Sequence, residues 1–498
     1  MRQAAAALLC ALLLAAGSAR ADEGAPPLPA PSTVVTHHTV RLSSGSALAY
    51  TATASTLLLR NDKNEPTASI FSVAYTTGDR TRPVTFIYNG GPGSSSVWLQ
   101  IGAFGPRRIA TPDGSSIPPP PYRLDDNPAT LLDVSDLVFI DPVGTGYSVA
   151  GGAGANRDFW GVDEDLRAFS QFIRRWVDAN GRSTSPKYLL GESYGTFRSA
   201  GLVNRLLDDG TSVDGVILVS SLLDYGDVFA GPGNENVPDA LALPSEAAVA
   251  WYHHRVPDPA PDVQTAIARA RDFTIRDYLP AILSPGPLAD ADRTRLAQRM
   301  HELIGLDPDY LLRANLRVDT DRFQAQLLRD RGQVIGRYDG RTTGAAVDRN
   351  AQEPAFDPSY EAIQPAFTAA FGSYLSGELG WRSDRPYRVL PGDVAANWNF
   401  QRSGFTAKVN APQTIGDLRD ALHRNPALRV FAAAGLYDLA TPFSVIGYEL
   451  ASVVADPATR ARVGFGYYAA GHMIYLDSNA LRALRVDIGG FYADANHK

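Results

Sequence analysis

The run Leu189-Leu190-Gly191-Glu192-Ser193-Tyr194-Gly195 constrains this chain more than any other stretch. It reads G-x-S-x-G, follows the apolar Tyr188, Leu189 and Leu190, and leads into a helix-compatible segment from Thr196 to Leu207. A strand that turns this sharply into a helix needs small residues around the turn, because the two elements pack close together. The turn lifts a serine hydroxyl out of the backbone and sets it at a helix N-terminus, where amides favour developing negative charge. A glycine-rich turn in any α/β protein would show the same short pattern, so the reading depends on partners elsewhere.

An activated serine needs a base to take its proton and an acid to orient that base. Asp438 stands just past an apolar run, Leu428 to Gly435, where loops at strand C-termini carry chemistry. Its rival Asp456 precedes Pro457 in a loop after a helical stretch. Of the histidines after Ser193, His253 and His254 fall in a charged, Pro-rich region, His423 in a helical segment, and His497 at the terminus. His472 ends the strand-like run Gly466 to Gly471 and is followed by Met473. Ser193, Asp438 and His472 each follow a predicted strand, in the order serine, acid, histidine. A fourth element, Asn89-Gly90-Gly91-Pro92-Gly93-Ser94-Ser95-Ser96, follows the apolar run Val84 to Tyr88. Successive glycines let backbone N–H groups face a ligand, as an oxyanion hole requires. A phosphate loop is excluded because no Gly-Lys-Ser/Thr follows.

The rest of the chain has a matching organisation. Residues 1–21 carry Arg2, an apolar core from Ala4 to Gly17 and the small-x-small site Ala19-Arg20-Ala21, the pattern of a cleaved export signal. The only cysteine, Cys10, lies within it, so the mature chain has neither disulfide nor cysteine metal site. Residues 22–32 read as a disordered linker. Four strand-like runs between Thr33 and Asn89 are separated by turns at Ser43-Ser44-Gly45, Asn61 to Asn64 and Thr77-Gly78-Asp79. Leu137 to Ile140 and Val213 to Leu223 suit buried strands, and Asp163 to Asn180 has helical periodicity. Strands alternating with helices imply a mostly parallel central sheet flanked by helices. From 226 to 395 the chain is richer in charge and proline, with helical segments at Pro261–Tyr278, Asp290–Ile304 and Ser359–Leu379, and reads as a mostly helical cap insertion. The core would then comprise 33–225 and 396–498. A net charge of −7 argues against nucleic acid as a partner.

The blocks N-G-G-P-G-S-S, Phe139-Ile140-Asp141-Pro142-Val143-Gly144-Thr145-Gly146-Tyr147-Ser148, G-E-S-Y-G, and the strand-borne Asp438 with Gly471-His472-Met473 resemble the serine carboxypeptidase family in its own order. The match runs from about 85 to 230 and from 428 to 476, with loose similarity between. The resemblance implies an α/β-hydrolase fold and a peptidase acting on peptides without metal or cofactor, and the signal pattern implies an exported protein, periplasmic or secreted, with no stable membrane insertion after cleavage. It implies Ser193 as nucleophile, His472 as general base then acid, and Asp438 as its orienter. The oxyanion donors would be the N–H groups of Gly91 and Tyr194. Asn89, Gly90 and Glu192 would receive a peptide's terminal carboxylate. An esterase or acyltransferase on the same triad is the alternative, and a catalytically inactive binding homologue a remoter one.

The chain departs from the family pattern at Ala103-Phe104-Gly105-Pro106, where the family has a second acid in an E-x-G-P segment. It also carries Ile87 for a tryptophan, lacks a residue between Asp141 and Pro142, and cannot form the family's disulfides. Loss of the second acid predicts a weak preference for a free C-terminal carboxylate and activity reaching to higher pH, unless Arg107, Arg108 or Arg198 supplies a compensating cation.

Overall fold

The computed structural model of the chain describes residues 26–111, 117, 119–229, 235–403, 412–454 and 456–495. The export signal, residues 22–25 of the linker and His497 lie outside the described residues.

A ten-stranded sheet organises the molecule. Its strands are β1 (Thr33–Arg41), β2 (Ala47–Arg60), β3 (Pro66–Thr76), β4 (Val84–Tyr88), β5 (Asp136–Ile140), β6 (Val149–Ala150), β7 (Lys187–Ser193), β8 (Gly215–Ser221), β9 (Arg429–Gly435) and β10 (Val463–Tyr468). The order is β1-β2-β3-β5-β4-β7-β8-β9-β10, with β6 paired to β3. β1, β2, β3 and β5 pair antiparallel in succession, and from β5 to β10 every pairing on the path is parallel. The turns at 43–45, 61–64 and 77–79 fall between the first four strands, so that part of the sequence reading matches the strand boundaries. This mostly parallel sheet between helices is the α/β-hydrolase architecture.

Side-chain alternation explains why β4, β5, β7 and β8 carry apolar residues on both faces. Phe86, Tyr88, Val138, Ile140, Leu189, Val216 and Leu218 belong to one core, on the face covered by α1 (Val162–Ala179) and α2 (Tyr194–Asp208). Ile87, Leu137, Phe139, Tyr188, Leu190, Ile217 and Val219 belong to the other. A strand covered on both faces reads as a continuous apolar run instead of an alternating one. α1 contributes Leu166, Phe169, Phe172, Ile173 and Trp176 at helical spacing.

Between β8 and β9 the chain is mostly helical, with α3 (Asn236–Tyr252), α4 (Val263–Phe273), α5 (Asp290–Ile304) and α6 (Gln364–Gly377) as its longer members. α4 begins where Asp262 accepts from Thr265 N at 2.7 Å, an N-cap. Two differences from the sequence reading stand out. The expected helix over 359–379 is divided into Pro358–Glu361 and α6, with Pro365 in the first turn of the second piece, where proline starts helices well. The glycine-rich 332–344 piece contains a small antiparallel hairpin, Gln333–Ile335 with Thr343–Ala345, within an insertion expected to be mostly helical. Its loop carries Arg337 to Gly340 onto the segments that follow β9 and β10. Two later helices, α7 (Ile415–Arg424) and α8 (Phe443–Val453), and the C-terminal α9 (Ser478–Ala495) complete the layers. Among the described residues no helix is long and apolar enough to cross a membrane.

Candidate active site

The elbow is built as its glycines require. Ser193 has φ 57° and ψ −129°, an unusual conformation for a residue with a Cβ, and stands between the end of β7 and the start of α2. A Cβ on Gly191 would come 2.1 Å from the carbonyl oxygen of Gly195, so only glycine allows strand and helix this close. Strain of this kind at a single serine is typical of functional positions. Tyr194 is the first residue of α2, and its N–H has no intrahelical acceptor.

β9 ends at Gly435, and Asp438 lies in the turn that follows; β10 ends at Tyr468, four residues before His472. The two side chains meet: His472 Nδ1 is 2.8 Å from Asp438 Oδ2, and both are buried. Asp438 Oδ1 accepts from Ala440 N at 2.7 Å and Thr441 N at 2.9 Å. Thr441 Oγ1 lies 2.8 Å from Asp438 Oδ2, 3.1 Å from the Ser220 carbonyl and 3.1 Å from His472 Nδ1. The carboxylate is thereby held on several sides. Both side-chain contacts of His472 use Nδ1, which leaves Nε2 without a partner among the described residues. Burial would lower the imidazole's pKa, but the Asp438 carboxylate, with Glu192 farther out, outweighs it and raises the pKa above the ordinary histidine value. Asp456, the rival acid, caps a short helix by accepting from Thr459 N at 2.9 Å. His253 lies against the Gly340 carbonyl at 2.7 Å, and His423 is in the last turn of α7.

The glycine loop lies directly against the elbow. A Cβ on Gly90 would sit 2.4 Å from Tyr194 N and 2.7 Å from the Glu192 carbonyl. Gly91 follows at φ 102°, the left-handed region that favours glycine. The loop is clamped to the second motif block, because Asp141 Oδ1 accepts from Ser96 N and Ser96 Oγ, both at 2.9 Å. Burial raises the Asp141 pKa to about 6.

Residues 61–218 match the family model described as serine carboxypeptidase. This part of the chain is similar to serine carboxypeptidases. Among solved structures, Kex1(delta)p, a prohormone-processing carboxypeptidase from Saccharomyces cerevisiae, matches with a TM-score of 0.53 at 16% identity, covering 89% of this chain and 92% of that one. A proline iminopeptidase from Mycobacterium smegmatis matches with a TM-score of 0.36 at 14% identity, covering 89% and 98%. A proline iminopeptidase-related protein from Thermus thermophilus matches with a TM-score of 0.34 at 14% identity, covering 88% and 99%.

The residues that the resemblance to serine carboxypeptidases assigns to a terminal carboxylate are also adjacent. Glu192 is 3% exposed and Asn89 1%. Asn89 Oδ1 accepts from Leu99 N at 3.1 Å, and its backbone carbonyl accepts from Arg198 Nη1 at 2.8 Å. Burial lifts the Glu192 pKa to about 7, against the opposing pull of His472, Tyr475 and Asn89. Of the three arginines considered from sequence, Arg107 is paired with Asp126 and Glu378 and Arg198 with Asp165, whereas Arg108 donates to neutral oxygens, the carbonyls of Gly102 and Tyr475 and Thr111 Oγ1.

Two aromatic residues at the site escaped the sequence reading. Tyr338, from the hairpin loop, stacks on the His472 ring, and Tyr475, three residues past His472, reaches Glu192 and Asn89. Tyr475 lies within a recognisable block, so its spacing from His472 was a usable signal. Tyr338 gave none, since a tyrosine in a glycine-rich segment has no motif around it.

Proposed function

We propose that the protein is an exported serine peptidase of carboxypeptidase type that works through an ester on Ser193. The observation that carries this reading is the buried Asp438–His472 hydrogen bond, together with a positive-φ serine at a strand-to-helix turn. Ser193 Oγ attacks the scissile carbonyl carbon while His472 Nε2 takes its proton, and Asp438 holds Nδ1–H and steadies the imidazolium. The carbonyl oxygen becomes an oxyanion facing the N–H groups of Gly91 and Tyr194. As the C–N bond breaks, His472 returns the proton to the leaving amine. Water then attacks the ester with His472 again as base, releasing the acid and restoring Ser193. Asn89, Gly90 and Glu192 receive the terminal carboxylate of the peptide. The signal pattern of residues 1–21 supports export to the periplasm or medium.

The mature protein and Ser193→Ala should be assayed on blocked dipeptides and simple esters and treated with an organophosphonate probe. Ser193 is expected to be the only serine labelled, and Ser193→Ala to lose about 10⁴-fold or more in turnover. Labelling that persists in Ser193→Ala would show that another serine is the nucleophile. Turnover of esters without turnover of any blocked dipeptide would favour the esterase or acyltransferase reading.

A further inference from the structure

Three buried polar atoms beside the elbow, Glu192 Oε2, Asn89 Nδ2 and Tyr475 Oη, make no hydrogen bond of good geometry among the described residues, although the three groups lie close enough to act on one another's titration. They come from three elements, the end of β7, the loop after β4, and the 3-10 turn Ile474–Leu476. Unpaired groups buried this deeply are costly unless a ligand satisfies them. Here one acceptor and two donor groups converge, and each is within electrostatic reach of the others. Tyr475 is held from two sides. Its backbone carbonyl accepts from Arg108 Nη2 at 2.8 Å, and its ring lies where a Cβ on Gly102 would come within 2.9 Å of Cε2. Gly102 immediately precedes Ala103, so the tyrosine packs against the turn from which the second acid is missing. Ala103 itself is fully buried among apolar neighbours.

We propose that the Tyr475 hydroxyl takes the place of the acid missing at Ala103, donating beside Asn89 and Glu192 to the free C-terminal carboxylate of a peptide. This inference rests on the carboxypeptidase reading and names what gives it selectivity. A carboxyl donor is lost once it ionises, whereas burial and the nearby Glu192 keep the phenol protonated well beyond the ordinary tyrosine range. The titratable groups around Glu192 are His472 and Asp438 from the strand ends, Tyr475 from the turn and Tyr338 from the hairpin loop. The weak free-acid preference expected from Ala103 alone therefore gives way to a real preference.

The test reads binding separately from peptide cleavage. A blocked dipeptide acid and its amide are used as competitors of simple-ester hydrolysis, so their Ki values are obtained whether or not the peptide bond is cut. The unmutated protein should favour the acid. Tyr475→Phe, which keeps the ring on Gly102, should reduce the acid-over-amide ratio about 10-fold or more, the scale of one hydrogen bond to a charged group. Its remaining preference should persist to higher pH, because the hydroxyl holds the Glu192 pKa down. Adding Ala103→Glu should restore much of the ratio, yet change it by less than about threefold when Tyr475 is present. An unchanged ratio in folded Tyr475→Phe, or no acid preference in the unmutated protein, overturns the proposal. Should Tyr475→Phe not fold, a rise above about 10-fold from Ala103→Glu alone overturns it. An acid that competes well but is never cleaved defeats the carboxypeptidase reading and leaves Tyr475's role standing.

Discussion

The ring of Tyr338 lies parallel to that of His472, with centroids 5.0 Å apart and planes 19° from one another. The backbones are joined as well, His472 N–H donating to the Tyr338 carbonyl at 2.6 Å. Neighbouring pairs extend the seam: Leu439 N–H donates to the Arg337 carbonyl at 3.1 Å and Gly340 N–H to the Tyr437 carbonyl at 2.9 Å. The hairpin loop of the helical insertion is thus stitched to both the Asp438 turn and the histidine. Asp438 holds one edge of the ring that is proposed as the base, and the tyrosine covers one face.

Tyr338→Ala should therefore lower kcat about 10- to 100-fold by loosening the imidazole, as small misplacements of reacting groups do. Burial is the larger of two influences that lower the His472 pKa, Arg337 being the other, and removing the stacked ring weakens the burial. The pKa should rise, and the acid limb of kcat/KM should move to higher pH, since the base acts only when neutral. Tyr338→Phe keeps the stacking and should stay within a few-fold of the unmutated protein. A pH–rate profile of the three proteins checks this; an unmoved acid limb in Tyr338→Ala would contradict it.

Asp438→Asn should fold but turn over roughly 10³- to 10⁴-fold more slowly, because an amide cannot hold Nδ1 in the protonated tautomer. The amide oxygen can still accept from Ala440 N and Thr441 N, which is why the turn should survive. Kinetics together with a thermal melt separate these two outcomes.

Gly90→Ala tests how closely the glycine loop must approach the elbow. The added methyl has no room beside Tyr194 N, so the loop must retreat and carry Gly91 with it. Loss of one oxyanion donor corresponds to about 10²- to 10³-fold in kcat. The overpacking itself should cost about 1–3 kcal/mol of stability. Equal kcat in Gly90→Ala would mean that the loop does not supply a donor.

Much of this arrangement was legible because strands buried on both faces announce themselves. Val84 to Tyr88 and Leu137 to Ile140 are apolar at every position but Thr85, and chemistry just past such runs draws attention to Asn89, Asp141 and Ser193. α5 could be read to its termini, since Gly305 closes it in a left-handed C-cap. What local sequence cannot display is contact between distant segments. Tyr338 meets His472 across more than a hundred residues, and Tyr475 meets Glu192 across almost three hundred; Tyr338 has no motif around it, and the spacing of Tyr475 from His472 does not show that it reaches Glu192. Thr441 was equally silent, a threonine in a turn until Asp438, His472 and Ser220 surround it.

Arg198 and Asp165 form a deeply buried ion pair near the site, Nε to Oδ2 at 2.6 Å with side chains 0% and 3% exposed. The same guanidinium donates to the Asn89 carbonyl and lies 4.4 Å from the Phe169 ring centroid. Its place on α2, five residues after Ser193, ties the helix of the elbow to the loop that carries Asn89. Breaking a buried pair from one side strands a charge, so Arg198→Met and Asp165→Leu should each cost about 3–5 kcal/mol. The double variant removes both charges and should recover most of that loss, because well-packed apolar replacements of buried pairs are often neutral. It cannot restore the donor to the Asn89 carbonyl. Stability and function should consequently separate: the double variant melts near the unmutated protein, while its kcat/KM on a blocked dipeptide stays about 10-fold or more lower. Denaturant unfolding and kinetics on all four proteins complete the cycle. If activity returned together with stability in the double variant, Arg198 would be a packing residue alone, and Asn89 would be held in place by Leu99 N without its help.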